Sequence, residues 1–226
     1  MTLVIACCGK DFVVLGGDSR VTYRDAAGNS VGINLMEKMI QVSKHVAILM
    51  AGEAGSADRL IETFKLKMSR GLDGVTKVAE AFAEFCKKEA KKSAGVPMHP
   101  DYFPDFSFII AGLDPKKGKY VVPRSYNLDS TTGYRLFLSR MFEIHGKWLI
   151  ALYMFSKQFE VNMVVDQLCR LTAQALYDTA KIDGEVGGDL KMAKIESDGY
   201  HPISDRDIQS FIEPWELRRL KAIMKQ

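Results

Sequence analysis

The chain has 226 residues, 47% of them apolar, which is enough to bury a sizeable core within one domain over residues 1–226. Its 31 basic and 28 acidic residues leave a formal net charge of +3, too balanced for a nucleic-acid partner, and no basic patch is interleaved with aromatics. With no run of about 18 uncharged apolar residues, no leader-like start and no metal-ligand spacing among four cysteines and four histidines, the expectation is a cytoplasmic protein with reduced thiols, no membrane partner and no cofactor.

Two short apolar runs, residues 3–8 and 12–15, flank Gly9-Lys10-Asp11 and predict a buried hairpin. Strands beginning at the terminus tie residue 2 into a sheet and keep it from fraying. Cys7 and Cys8 are adjacent on the first strand, so they point to opposite faces. Asp18 closes the second strand, just before Arg20. Residues 23–30 are polar and turn-rich and predict a loop. Residues 39–42 and 46–50 predict another strand pair, with Lys38 at its entrance, and extend the first sheet to at least four strands. Ala51-Gly52-Glu53-Ala54-Gly55 then leads into a helix capped by Ser56, with Leu60, Ile61, Phe64 and Met68 on its buried face. A second helix from about Asp73 buries Val75, Val78, Phe82 and Phe85. Its lysine-rich end, residues 87–92, suits the negative end of the helix dipole and reads as solvated.

Three prolines exclude helix over residues 95–104. Residues 106–111 and 120–122 predict strands joined by a turn at 114–118. Residues 147–158 are mostly apolar and long enough for a buried helix. Residues 162–181 carry one apolar stripe of Val164, Val165, Leu168, Leu171, Leu176 and Ala180. The glycine-rich stretch 183–189 lacks a phosphate-loop pattern and reads as a flexible turn. Residues 190–195 and those beyond the turn at 198–200 predict a last strand pair. A final helical region, 204–226, is expected to break near Pro214. Blocks of strands and blocks of helices, without regular βαβ alternation, predict an α+β fold with mainly antiparallel sheets.

The order of Thr2, Asp18 before Arg20, Lys38 before an apolar pair, and Ala51-Gly52 before the first helix resembles the proteasome β-subunit family, including HslV-type bacterial relatives. The resemblance covers residues 2–65 most closely, and it extends over 105–135 and 160–200. It implies a four-layer α-β-β-α sandwich with two mainly antiparallel sheets, the N-terminal nucleophile hydrolase fold. It also implies a threonine-type endopeptidase that acts on unfolded polypeptide or peptide within stacked rings, with an ATP-dependent unfoldase as partner. Removal of Met1 would leave Thr2 with both a hydroxyl and a free amine. A terminal amine has a reference pKa of about 7.7–8.0, so part of it is neutral near pH 7 and can act as base for the hydroxyl. By the same resemblance Lys38 lies beside that hydroxyl and Asp18 keeps Lys38 charged. The N–H of Gly52 faces the developing oxyanion, and Asp183 supports the amine. The backbone of Thr22 pairs with the extended substrate. Val21, Met50 and Ala54 wall the pocket for the residue before the cut bond, which implies an apolar or aromatic preference there.

Two positions depart from that pattern. Lys147 follows Gly146, and Val186 precedes Gly187, where the family commonly has serines that support the threonine amine. Two further readings therefore stand beside the peptidase. One is a peptide ligase on the same fold, in which an amine replaces water. The other is a non-catalytic scaffold subunit, although such subunits usually lack the threonine–lysine pair.

Overall fold

The first strand, β1 (Leu3–Cys8), is buried at every position. The reason is that both of its faces are covered. Leu3, Ile5 and Cys7 join the core shared with the C-terminal helices, while Val4, Ala6 and Cys8 join a second core between two sheets. A strand covered on both faces reads as a continuous apolar run without alternation. The computed structural model describes residues 2–24, 30–34, 36–67, 71–93, 105–139 and 141–223.

In chain order β1 is followed by β2 (Val13–Asp18), β3 (Arg20–Arg24), β4 (Ser30–Asn34), β5 (Met39–Ser43) and β6 (Val46–Gly52). Two helices come after them, α1 (Ala54–Lys67) and α2 (Val75–Ser93). Next are β7 (Phe106–Lys116), β8 (Lys119–Asp129), β9 (Leu136–Ser139) and β10 (Phe142–Gly146). The chain closes with α3 (Trp148–Gln158), α4 (Val165–Ile182), β11 (Leu190–Glu196), β12 (Gly199–Ile203) and α5 (Asp205–Ile223). One five-stranded sheet has the order β10-β1-β2-β11-β12 and the other β5-β6-β7-β8-β9, with every pairing antiparallel. Helices α1 and α2 pack on the second sheet through Ile61, Phe64, Val78 and Phe82. Helices α3, α4 and α5 pack on the first through Phe155, Leu168, Leu176 and Ile208. The layers are therefore α-β-β-α, as expected.

Several expectations are corrected in detail. The hairpins β1–β2 and β5–β6 belong to different sheets and do not form one sheet of four strands. Strands β1, β2 and β6 are buried on both faces, so periodicity carries no sign of which sheet each hairpin joins. Part of the expected loop at 23–30 is strand, because β3 and β4 pair from Arg20↔Asn34 to Arg24↔Ser30; residues 25–29 lie outside the described residues, as do 95–104 and Met68. Helix α1 is capped by the carboxylate of Glu53, which accepts from the N–H groups of Gly55 and Ser56 at 2.9 and 2.8 Å; Ser56 sits inside the helix. Strands β9 and β10 have no counterpart in the sequence reading. Helix α3 buries only Ala151, Met154 and Phe155 on its core side, leaving Leu149 and Tyr153 71% and 65% exposed, so it is amphipathic by position and not a buried helix. Helix α5 continues through Pro214, since a proline removes one rung of a helix while the rungs on either side persist. Among the described residues no helix is long and apolar enough to cross a membrane.

Candidate active site

The β1–β2 hairpin brings the two ends of its arms together, with Val4 opposite Gly17. Asp18 therefore stands beside the start of β1, and its Oδ1 accepts the N–H of Leu3 at 2.9 Å. The same oxygen is 2.8 Å from Lys38 Nζ. Lys38 also donates to the carbonyl of Arg20. Asp18 Oδ2 accepts the N–H of Gly187 at 3.1 Å. One carboxylate, 1% exposed, thus ties together the first strand, the entrance to β5 and the loop after α4. Burial pushes the Lys38 ammonium below the ordinary lysine range, and the charge of Asp18 pushes it back.

Thr2 is 5% exposed and extends the β1–β10 ladder by one bond, because its carbonyl accepts the N–H of Lys147 at 2.8 Å. Gly146, opposite Leu3, has φ +89°, and a Cβ there would fall 1.8 Å from the Thr2 carbonyl oxygen. Only glycine lets the two backbones meet this closely. Thr2 and Gly52 together line a cleft of about 800 Å³. Gly52 also has a left-handed backbone, φ +100°, and a Cβ would meet the Asp105 carbonyl at 2.2 Å. The geometry thus brings together Thr2, Asp18, Lys38 and Gly52 around the start of β1.

Asp183 follows α4 and lies 3.3 Å from Lys147 Nζ through its Oδ2. Glu185, two residues on, accepts from the same ammonium at 2.8 Å. The hydrogen bond from Lys147 holds Glu185 below the ordinary glutamate range, and Glu185 in turn raises Lys147. Val186 is fully buried in the helix-side core. Where the resemblance implied two hydroxyls there is one charged cluster and one core side chain. Arg20 fastens the same loop, donating from Nη1 to the Gly184 carbonyl at 2.7 Å.

The residues expected to contact the acyl side are more dispersed. Val21 and Thr22 lie on β3, and the side chain of Thr22 is outside the described residues. Met50 is 2% exposed among Ile40 and Ile48 in the core under α1 and α2. Ala54 is the first residue of α1. None of Val21, Met50 and Ala54 lines the cleft shared by Thr2 and Gly52.

The four cysteines are free and buried. Burial pushes the Cys8 thiol up to about 11 and that of Cys169 to about 12, which suits core packing and not nucleophilic chemistry. Among the described residues the one group able to offer three metal ligands is Glu196, Asp198 and His201 on the β11–β12 hairpin. Glu196 is paired there with Lys194, and Asp198 with His201.

Sequence reasoning missed Arg20 as an anchor of the 183–187 loop, Glu185 as a partner of Lys147, and Glu143 and His145 in the cleft wall. The first two stand in motifs that the sequence marks, but nothing there assigns them a partner. The last two lie on β10, a strand without a clear sequence signal.

The model of the proteasome subunit family matches residues 2–195. The chain belongs to the proteasome subunit family. It is 25% identical over 229 residues to a proteasome subunit beta of Frankia alni, covering 93% of this chain and 76% of that protein. It is 24% identical over 216 residues to a proteasome subunit beta of Methanohalophilus mahii, covering 94% and 93% of the two chains. It is 26% identical over 205 residues to proteasome subunit beta 1 of Thermococcus gammatolerans, covering 89% and 92%. The matched region contains the whole Thr2–Asp18–Lys38–Gly52 cluster and also the proteasome subunit's loop at 183–187.

Proposed function

We propose that this proteasome-family subunit is a threonine-type endopeptidase, with Thr2 as nucleophile once Met1 is removed. The observation that carries the reading is the buried Asp18–Lys38 pair, anchored to the N–H of Leu3, one residue from Thr2. A buried ion pair is a poor stabiliser, often no better than apolar residues of the same volume. Its position speaks for chemistry. A lysine ammonium near the hydroxyl favours the alkoxide, and the carboxylate keeps that ammonium charged and oriented.

Thr2 Oγ adds to the carbonyl carbon of the substrate amide while the Thr2 amine takes the hydroxyl proton. Negative charge gathers on the carbonyl oxygen, which the N–H of Gly52 stabilises. The C–N bond then breaks, and the proton passes from the Thr2 ammonium to the departing amine. Water attacks the resulting ester, giving its proton to the same amine. The ester bond breaks, and the proton returns to Thr2 Oγ. Asp183, in its cluster with Lys147 and Glu185, supports the amine throughout.

The acyl part of an unfolded polypeptide pairs with the Thr22 backbone on β3, and its last residue, apolar or aromatic, meets Val21 and Ala54, while Met50 stays in the core behind them. The apolar side chains of Leu149 and Tyr153 on α3 support assembly into stacked rings, since exposed apolar surface of this kind is what a neighbouring subunit covers. An ATP-dependent unfoldase would feed such rings in the cytoplasm. The Lys147–Asp183–Glu185 cluster favours a second reading, peptide ligation, in which an amine attacks the ester in place of water; an added amine would then appear in the product.

The test is cleavage of a peptide library by the Met1-free chain and by its Thr2→Ala variant. The variant is expected to lose about 10³-fold or more in kcat/KM. Equal cleavage by the two proteins would overturn the reading.

A further inference from the structure

The geometry points to a cation-selective subsite on the β10 side of Thr2, one that takes a lysine or arginine residue from the leaving-group side of the cut bond. The inference rests on the reading of Thr2 as nucleophile. Strand β1 has β2 on one side, carrying Asp18 and through it Lys38, and β10 on the other. The acyl chain belongs with β3, on the Lys38 side. The cleft of about 800 Å³ opens between Thr2, Gly52 and the wall formed by β8, β10 and α3. It is the space left for the leaving-group half of the substrate.

The chemistry of that wall is one-sided. Asp105, Asp129 and Glu143 line it, and among the described residues no lysine or arginine does. Glu143 is held in place through one oxygen: His145 Nε2 donates to its Oε1 at 3.2 Å, and Asn127 Nδ2 approaches the same atom at 3.5 Å. Its Oε2 has no hydrogen-bond partner among the described residues. Asp129 likewise engages Oδ1 with the N–H and hydroxyl of Thr131, at 2.6 and 2.7 Å.

Two orphaned atoms in the wall ask for the same kind of partner. His145 is 8% exposed, and its Nδ1 is buried with no partner; the Oδ1 of Asn127 is in the same state. Asn127 turns its Nδ2 toward Glu143, so its orphaned Oδ1 is an acceptor, and with His145 Nε2 donating to the carboxylate the ring's Nδ1 is one whenever the imidazole is neutral. Unpaired buried acceptors carry a free-energy penalty and point to a missing donor. An ammonium supplies three N–H donors and a guanidinium five. Trp148 and Leu152, one turn apart on α3, add an apolar wall for the methylene stem, and the indole adds a face that attracts cations. The three carboxylates do not converge on one coordination shell, since the sole three-ligand group among the described residues lies on the β11–β12 hairpin. An extended organic cation fits this arrangement, and a metal ion does not.

The experiment has two arms. In the first, peptides with one acyl side and Lys, Arg, Ala or Glu directly after the cut bond are compared by kcat/KM, with the cut located by mass spectrometry. Lys and Arg are expected to exceed Ala by roughly tenfold, with Glu lowest. Glu143→Gln and Asp129→Asn, which keep shape and remove charge, should shrink the Lys-over-Ala ratio to within about twofold. In the second arm, the Thr2→Ala chain binds fluorescent Lys and Glu peptides and anisotropy is read. Tighter binding of the Lys peptide, lost in Glu143→Gln, supports the subsite even if the wild type cleaves nothing, in which case only the nucleophile reading falls. Equal binding of the two peptides, or equal cleavage of all four, overturns the subsite whatever the reaction.

Discussion

Lys147 uses its backbone and its side chain for different partners beside Thr2. Its backbone N–H bonds the Thr2 carbonyl, an interaction any residue but proline could make. Its ammonium binds Asp183 and Glu185. The two shifts set the sign of its pH dependence. Glu185 is held below its ordinary value, chiefly by the Lys147 hydrogen bond, so its contribution to stability is present above the unfolded glutamate pKa and is lost as pH falls through the lowered one. Lys147 is raised, chiefly by Glu185, so its contribution is present below the ordinary lysine pKa and is lost as pH rises through the raised one. Both side chains are partly exposed, which keeps the pair within the range of surface ion pairs. Lys147→Met is therefore expected to destabilise the fold by about 0.5–1 kcal/mol at pH 7 and by less at pH 3, measured by urea unfolding at both. An equal loss at the two pH values would show that the charge pair is not its source.

Helix α2 holds the outer layer to the second sheet through aromatic packing. Phe82 is fully buried, with its ring edge-on to Phe64 and to Phe108 at centroid distances of 5.0 Å each. Phe82→Ala would leave a cavity between α1, α2 and β7 and cost about 3–5 kcal/mol, read by thermal or urea unfolding. A loss under about 1 kcal/mol would mean that the helix packs elsewhere. This element was legible in the chain because Val75, Val78, Phe82 and Phe85 recur at helical spacing. Strands β9 and β10, which belong to different sheets, were not. Each is only four or five residues long and lies at the edge of its sheet, so the apolar run Leu136-Phe137-Leu138 and the alternation Phe142-Glu143-Ile144-His145 are too short to mark a strand by themselves. Missing β10 hid Glu143 and His145, whose faces are defined only by pairing with β1.

For the molecule as a whole, layers were legible and sheet membership was not. Blocks of strands and helices announce an α+β fold with mainly antiparallel sheets, and the family resemblance supplies the four layers. The assignment of β1–β2 to one sheet and β5–β6 to the other depends on which apolar face meets which, a long-range matter. The Asp18–Lys38 pair was legible only through the order of residues shared with a family, since either charge alone reads as surface. The Lys147–Asp183–Glu185 cluster joins two loops that meet only once the first sheet is built around β1. The proposed function turns on the hydroxyl and freed amine of Thr2, and a peptide epoxyketone tests both, since closing its ring uses a hydroxyl and the neighbouring free amine. The Met1-free chain, incubated with an epoxyketone bearing an apolar or aromatic residue, should gain one inhibitor mass, mapped by peptide analysis to Thr2 and absent from Thr2→Ala. A chain with a free Thr2 amine that stays unmodified, or that carries the label on another residue, would contradict it.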